Sequence, residues 1–156
     1  MIKSAITIAS SVAISVCVFG GLAEAGRSVP RVVPHVVGTW PDESGSDTSG
    51  GWQLWSSGKV VALQGAPYFG GAASHHLNNF VGMVGDSFND GYWLITSTGK
   101  VFPFGTVCQG QKLVAPRGAP KSGVVGAIHL RSQVDEGFDI ITKSGRSYSF
   151  KCEFVF

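Results

Sequence analysis

The stretch Gly91-Tyr92-Trp93-Leu94-Ile95-Thr96-Ser97-Thr98-Gly99-Lys100-Val101-Phe102-Pro103-Phe104-Gly105 decides the fold of this chain, because it predicts a β-hairpin. Side chains on a strand alternate between two faces. One face carries Tyr92, Leu94 and Thr96, and the other carries Trp93, Ile95 and Ser97. Both faces are largely apolar, which predicts that the first strand is covered on both sides. Thr98-Gly99 provides the turn, since glycine accepts the positive φ of tight hairpins, and Pro103 predicts an edge strand or a bulge.

The same pattern occurs three times along the chain. A glycine follows two β-prone residues at Gly38, Gly82 and Gly126, with 44 residues between successive copies. Hairpin glycines follow at Gly58, Gly99 and Gly145. We therefore predict an all-β domain over residues 36–156, made of three repeats of short antiparallel strands at 36–79, 80–123 and 124–156, with almost no helix. Further short strands are expected at 66–71, 108–110 and 153–156.

The N-terminus predicts export. Lys3 precedes an apolar run from Ala5 to Gly21, and Ala23-Glu24-Ala25 has the small-residue pattern of a cleavage site. Residues 1–25 are therefore interpreted as a signal peptide and 26–35 as an extended lead-in, with a retained membrane anchor as the alternative. The processed chain keeps Cys108 and Cys152, and an even pair in an exported protein predicts a disulfide rather than free thiols.

Composition narrows the classes of partner. The net charge is +2 and only 14% of residues are charged, so neither nucleic acid nor an anionic membrane surface is an expected partner. No phosphate-binding loop or metal motif is present, and no cofactor is expected.

The quoted hairpin closely resembles the Gly-Tyr-Trp-Leu…Gly-x-Val-Phe-x-Phe-Gly repeats of secreted actinobacterial β-propeller-like proteins. The resemblance covers about residues 36–152 and implies blades of short strands in a repeat scaffold, with no catalytic motif to transfer. The first repeat departs from the pattern at Trp52-Gln53-Leu54, where the hairpin turn is one residue shorter. The third departs at Phe138-Asp139, where the aromatic pair is broken.

Three repeats pose a problem of closure, since a propeller needs at least about four blades. Pairing of two copies into a six-blade ring is one solution. The alternative is a threefold β-trefoil-like barrel, because Gln53-Leu54-Trp55 is similar to the Gln-x-Trp of ricin-type trefoils.

Aromatic residues provide the candidate binding surface, namely Trp52, Trp55, Tyr68 and Trp93, which suit stacking on sugar rings or contact with a protein. The leading hypothesis is a secreted, non-catalytic binding or structural module at the cell envelope, with a partner protein or a cell-wall glycan. One alternative is a small secreted hydrolase that uses His75 or His76 with an acidic residue. Another is a structural subunit of an envelope or virion assembly.

Overall fold

The computed structural model describes residues 32–41, 50–130 and 136–154. The predicted signal peptide at 1–25, the first part of the lead-in at 26–31 and the end of the expected closing strand at 155–156 lie outside these residues. Residues 32–35 precede the first strand and form no strand, as expected for a lead-in. No helix among the described residues is long and apolar enough to cross a membrane.

The described residues form three antiparallel sheets with no α-helix. The first sheet contains β1 (Val36–Pro41), β2 (Gly51–Trp55) and β3 (Val60–Leu63) in that order. The second contains β4 (Phe80–Gly85), β5 (Gly91–Thr96) and β6 (Val101–Gly105). The third contains β7 (Lys112–Val114), β8 (Val124–His129), β9 (Gly137–Thr142) and β10 (Ser147–Glu153) in the order β7-β10-β9-β8. The all-β prediction is confirmed, and none of these sheets closes on itself into a barrel.

The three hairpins share one backbone geometry. The N–H groups of Gly58, Gly99 and Gly145 donate to the carbonyls of Trp55, Thr96 and Thr142. All three glycines have positive φ, between 75° and 81°, as expected for the turns. A register shift also precedes Gly38 in β1, Gly82 in β4 and Gly126 in β8.

The strand pairing corrects the alignment of the first two repeats. Trp40 lies opposite Trp52, and Val84 lies opposite Trp93, so Trp52 and Trp93 occupy the same position. The first hairpin turn spans Trp55 to Lys59 and the second spans Thr96 to Lys100, which is the same length. The expected shorter turn in the first repeat is therefore wrong, because Gly51 corresponds to Tyr92 rather than to Gly91.

Two apolar cores lie between the sheets, and β5 contributes to both of them. Tyr92 and Leu94 pack with the first sheet, whereas Trp93 and Ile95 pack with the third. Every residue of β5 is buried, so the prediction that this strand is covered on both faces is confirmed. Pro103 lies in β6, an edge strand, where the missing N–H breaks no ladder bond on the open side.

The expected strand at 66–71 is absent, because side chains rather than a ladder anchor this segment. Trp52 Nε1 donates to the Pro67 carbonyl at 2.7 Å, and the Tyr92 hydroxyl donates to the Gly70 carbonyl at 2.6 Å. Burial raises the pKa of Tyr92 to about 12, which keeps the hydroxyl protonated as a donor.

The expected strand at 108–110 is also wrong, since these residues belong to a 3-10 turn. The strand that follows, β7, pairs with β10, so the third sheet includes residues that precede the 124 boundary of the third repeat. A disulfide joins Cys108 to Cys152 with 5.3 Å between the Cα atoms, which confirms the predicted bridge. The bridge therefore fastens the turn before β7 to β10. Glu153 ends β10, and Phe154 lies beyond the strand.

Candidate functional site

One strand from each sheet, β1, β4 and β8, ends at a common cavity of about 230 Å³. Trp40 is near the end of β1, Asp86 directly follows β4, and His129 is the last residue of β8. All three line the cavity together with the apolar side chains of Met83 and Ile128. The repeat geometry thus brings one aromatic ring, one carboxyl and one imidazole to a place that no single repeat could form.

Asp86 is the most unusual group in this cavity. Its side chain is only 4% exposed. Oδ1 accepts a hydrogen bond from the Asp90 N–H at 2.9 Å, but Oδ2 is buried and has no partner among the described residues. Burial raises the pKa of this carboxyl above its ordinary value of 3.8, although backbone donors from Asp90 and Gly91 oppose the shift. A buried acceptor without a partner costs free energy, so Oδ2 has an unused capacity to accept a hydrogen bond.

The neighbours of Asp86 connect the second and third sheets. Ser87 Oγ lies 3.2 Å from His129 Nε2, which places the β8 imidazole beside the loop that follows β4. Glu136 Oε1 accepts from the Cys108 N–H at 3.3 Å. Burial raises the pKa of Glu136, and the negative charge of Asp86 raises it further. The two carboxyl groups therefore interact electrostatically.

Two of the predicted binding residues, Trp52 and Trp93, are core residues with no exposed surface. Trp52 packs edge-on against Tyr92, with 5.5 Å between ring centroids. Trp93 lies 5.2 Å from the ring of Phe138 in the third sheet. Since both rings fill the space between sheets, neither can stack on a ligand, and the prediction of a surface role fails for these two residues.

The other two predicted binding residues remain accessible to different degrees. Tyr68 is 61% exposed. Trp55 is half-buried, and the Lys59 ammonium lies 5.8 Å from its ring centroid. Neither residue lines the cavity around Asp86. The structure therefore separates these aromatics from Asp86.

Among the residues that the structure describes, the histidine pair has no acidic partner. His75 and His76 are exposed, and the His75 ring lies 4.9 Å from the Phe102 ring. Neither histidine lines the cavity with Asp86, and no hydrogen bond joins either of them to a carboxylate among the residues described. The same part of the chain has no group of three His, Cys, Asp or Glu residues placed to hold a metal ion. The arrangement that a hydrolase based on these histidines requires is thus not observed.

No protein-family model, curated protein or solved structure matches this chain.

Sequence reasoning missed the cavity because its members lie far apart along the chain. Trp40, Asp86 and His129 each lie within one residue of the end of β1, β4 or β8, about 44 residues apart. That recurrence is the signal that identifies them. In the sequence, neither Asp86 nor His129 stands out as a site residue.

Proposed function

We propose that this chain is a secreted, non-catalytic binding module of the cell envelope, and that a cell-wall glycan binds in the cavity around Asp86. The observation that carries the proposal is the buried Asp86 Oδ2, which lacks a hydrogen-bond donor in a cavity walled by Trp40 and aliphatic side chains. A sugar ring offers hydroxyl donors on its rim and an apolar face for an aromatic ring.

The size of the cavity favours one sugar unit over a protein surface. Pockets for drug-sized ligands occupy roughly 300–1,000 Å³, and this cavity of about 230 Å³ is smaller. A stable protein partner covers roughly 800 Å² on each side, which a cavity of this size does not supply. His129 also lines the cavity, and its Nε2 lies within hydrogen-bond distance of Ser87 Oγ.

Export and a propeller-like arrangement belong to the same proposal. The leader pattern at residues 1–25 and the disulfide between Cys108 and Cys152 support a destination outside the cytoplasm. Three sheets that repeat one geometry and pack face to face support blades of the actinobacterial type, because β1, β4 and β8 approach one another as inner strands do around a propeller axis.

The test is direct binding of soluble cell-wall glycan fragments, measured by titration calorimetry, to the wild type and to Asp86→Asn. The substitution keeps an oxygen for the Asp90 N–H but removes the charge, and a hydrogen bond to a charged group contributes about 1.5–3 kcal/mol. We expect affinity to fall roughly 10-fold or more. Trp40→Leu should weaken binding as well, because it removes the aromatic wall.

The matched control is Asp139→Asn, which neutralises a carboxylate that does not line the cavity. It should leave glycan affinity unchanged. Equal glycan binding by wild type and Asp86→Asn would mean that the glycan does not bind in this cavity. Capture of an envelope protein that is unaffected by both cavity variants would favour a protein partner at another surface.

A further inference from the structure

One hydrogen bond recurs at each contact between successive sheets. The carbonyl of Ser56 in the first hairpin accepts from the Phe80 N–H at 3.1 Å, and Phe80 begins the second sheet. The carbonyl of Ser97 in the second hairpin likewise accepts from the Val124 N–H at 3.1 Å. By the strand register, Lys143 is the equivalent acceptor in the third hairpin and Val36 is the equivalent donor in the first sheet. Within the described residues neither group makes this inter-sheet bond.

The first and third sheets each have a face that is turned away from the second sheet, and we call these the outer faces. Apolar side chains on both outer faces lack the contact that their equivalents make inside the chain. Val84 of the second sheet is 2% exposed because it packs against the third sheet, whereas its equivalent Ile128 is 56% exposed. Val125, the equivalent of the half-buried Val81, is 47% exposed. On the outer face of the first sheet, Val36 is 42% exposed, although its equivalent Phe80 in the second sheet is buried in the first core. Each outer face is thus one half of a contact that is complete elsewhere in the chain.

We propose that a second copy of this chain covers both faces, with the outer face of the third sheet of each copy packed against the outer face of the first sheet of the other. The occupant is argued from continuity with the two internal contacts, which join these same two kinds of face. A head-to-tail contact uses different patches on the two partners, and it forms a ring where the rotation closes. Two copies bring six sheets together, within the range of roughly 4–8 that closed propellers contain.

The polar residues on the outer face of the third sheet fit an interface that is exposed to solvent before two copies assemble. Asp139 replaces the buried Trp93, and Ser147 replaces Val101, at equivalent positions. Interfaces between separately folded partners are about as polar as the rest of the surface, unlike the core within a chain. The replacements therefore keep the free copy soluble without removing Val125 and Ile128 from the contact.

The mass of the purified secreted protein, measured by sedimentation across a range of concentrations, tests the proposal. We expect twice the mass of one chain. Val125→Glu and Val36→Lys should each give monomers with unchanged near-ultraviolet circular dichroism, because both positions are exposed in the single copy. Phe88→Glu is the control, since it replaces an exposed apolar residue of the β4–β5 loop and should leave the mass doubled.

Mixing the two monomeric variants distinguishes the head-to-tail contact from a symmetric one. An equimolar mixture of Val125→Glu and Val36→Lys should recover the doubled mass, because each new glutamate meets a lysine and the other contact is wild type. A contact of like faces would leave one of the two variants dimeric on its own. That result, a wild-type monomer at all concentrations, or an open series of larger masses would overturn the proposal.

Discussion

Trp93 and Asp139 occupy the same position in successive sheets, and their surroundings are opposite. Trp93 lies across from Val84 and fills the core between the second and third sheets. Asp139 lies across from Ile128, and its Oδ2 accepts from Ser147 Oγ at 2.6 Å. We expect Trp93→Ala to lower the free energy of unfolding by about 3–5 kcal/mol, because it leaves a large cavity. Denaturant unfolding followed by circular dichroism measures the change.

The equivalent substitution Asp139→Ala serves as the comparison. It removes one exposed hydrogen bond and no core contact, so the loss should stay below about 1 kcal/mol. Similar losses for both variants would mean that the two positions are packed alike, against the arrangement described for the third sheet.

Alanine substitutions at Gly99 and Gly145 distinguish the cost of backbone strain from the cost of a steric clash. Both have φ near 75°, where a side chain is unfavourable by roughly 1–2 kcal/mol. A Cβ at Gly99 would also collide with the carbonyl oxygen of Pro120, whereas a Cβ at Gly145 would meet nothing within 4 Å. Gly145→Ala should therefore cost only the strain, and Gly99→Ala should cost at least about 1 kcal/mol more, measured by thermal or denaturant unfolding. Equal costs would show that the segment around Pro120 moves aside freely.

The disulfide should make a large contribution to stability. Cys108 and Cys152 are 44 residues apart, and closing a loop of this length stabilises the folded state by about 4 kcal/mol in the chain-entropy model. The double variant Cys108→Ala with Cys152→Ala should lose a comparable free energy of unfolding, measured in urea. Reduction of the wild type should reproduce this loss. A stability that does not change on reduction would contradict the expected role of the bridge.

The sequence was sufficient for the class of fold but not for the relation between sheets. Strand alternation predicted both faces of β5, and the hairpin glycines predicted all three turns, because these features depend on local conformation. The first repeat was misaligned by one residue, since Gly51 and Gly91 look equivalent in the sequence and differ in the strand register. A slip of one residue moves every side chain to the other face, so this alignment gives Trp52 the position of Tyr92 rather than that of Trp93.

Long-range features could not be predicted for a different reason. β7 pairs with the free edge of β10 after the chain turns at Cys108. β7 has only three residues, too few for a periodic pattern that would specify this partner strand. The cavity likewise requires Trp40, Asp86 and His129 to approach across three sheets.

The pH dependence of stability should report the buried carboxyls of Asp86 and Glu136. The folded state raises both pKa values above their ordinary 3.8 and 4.5, so it holds these protons more tightly than the unfolded chain. Their contribution to stability is fully present below the ordinary values and is lost as the pH rises through the raised ones. Relative to wild type, Asp86→Asn should therefore become more stable as the pH increases from about 4 and reach a plateau at higher pH, measured by unfolding at a series of pH values.

Coupling between the two groups gives the prediction a second readout. The charge of Asp86 raises the pKa of Glu136, so Glu136→Gln should flatten the pH profile less in the Asp86→Asn background than in the wild type. Full additivity of the two substitutions would mean that the carboxyls titrate independently. A stability difference between wild type and Asp86→Asn that stays constant with pH would mean that Asp86 is no harder to ionise in the folded protein than in the unfolded chain.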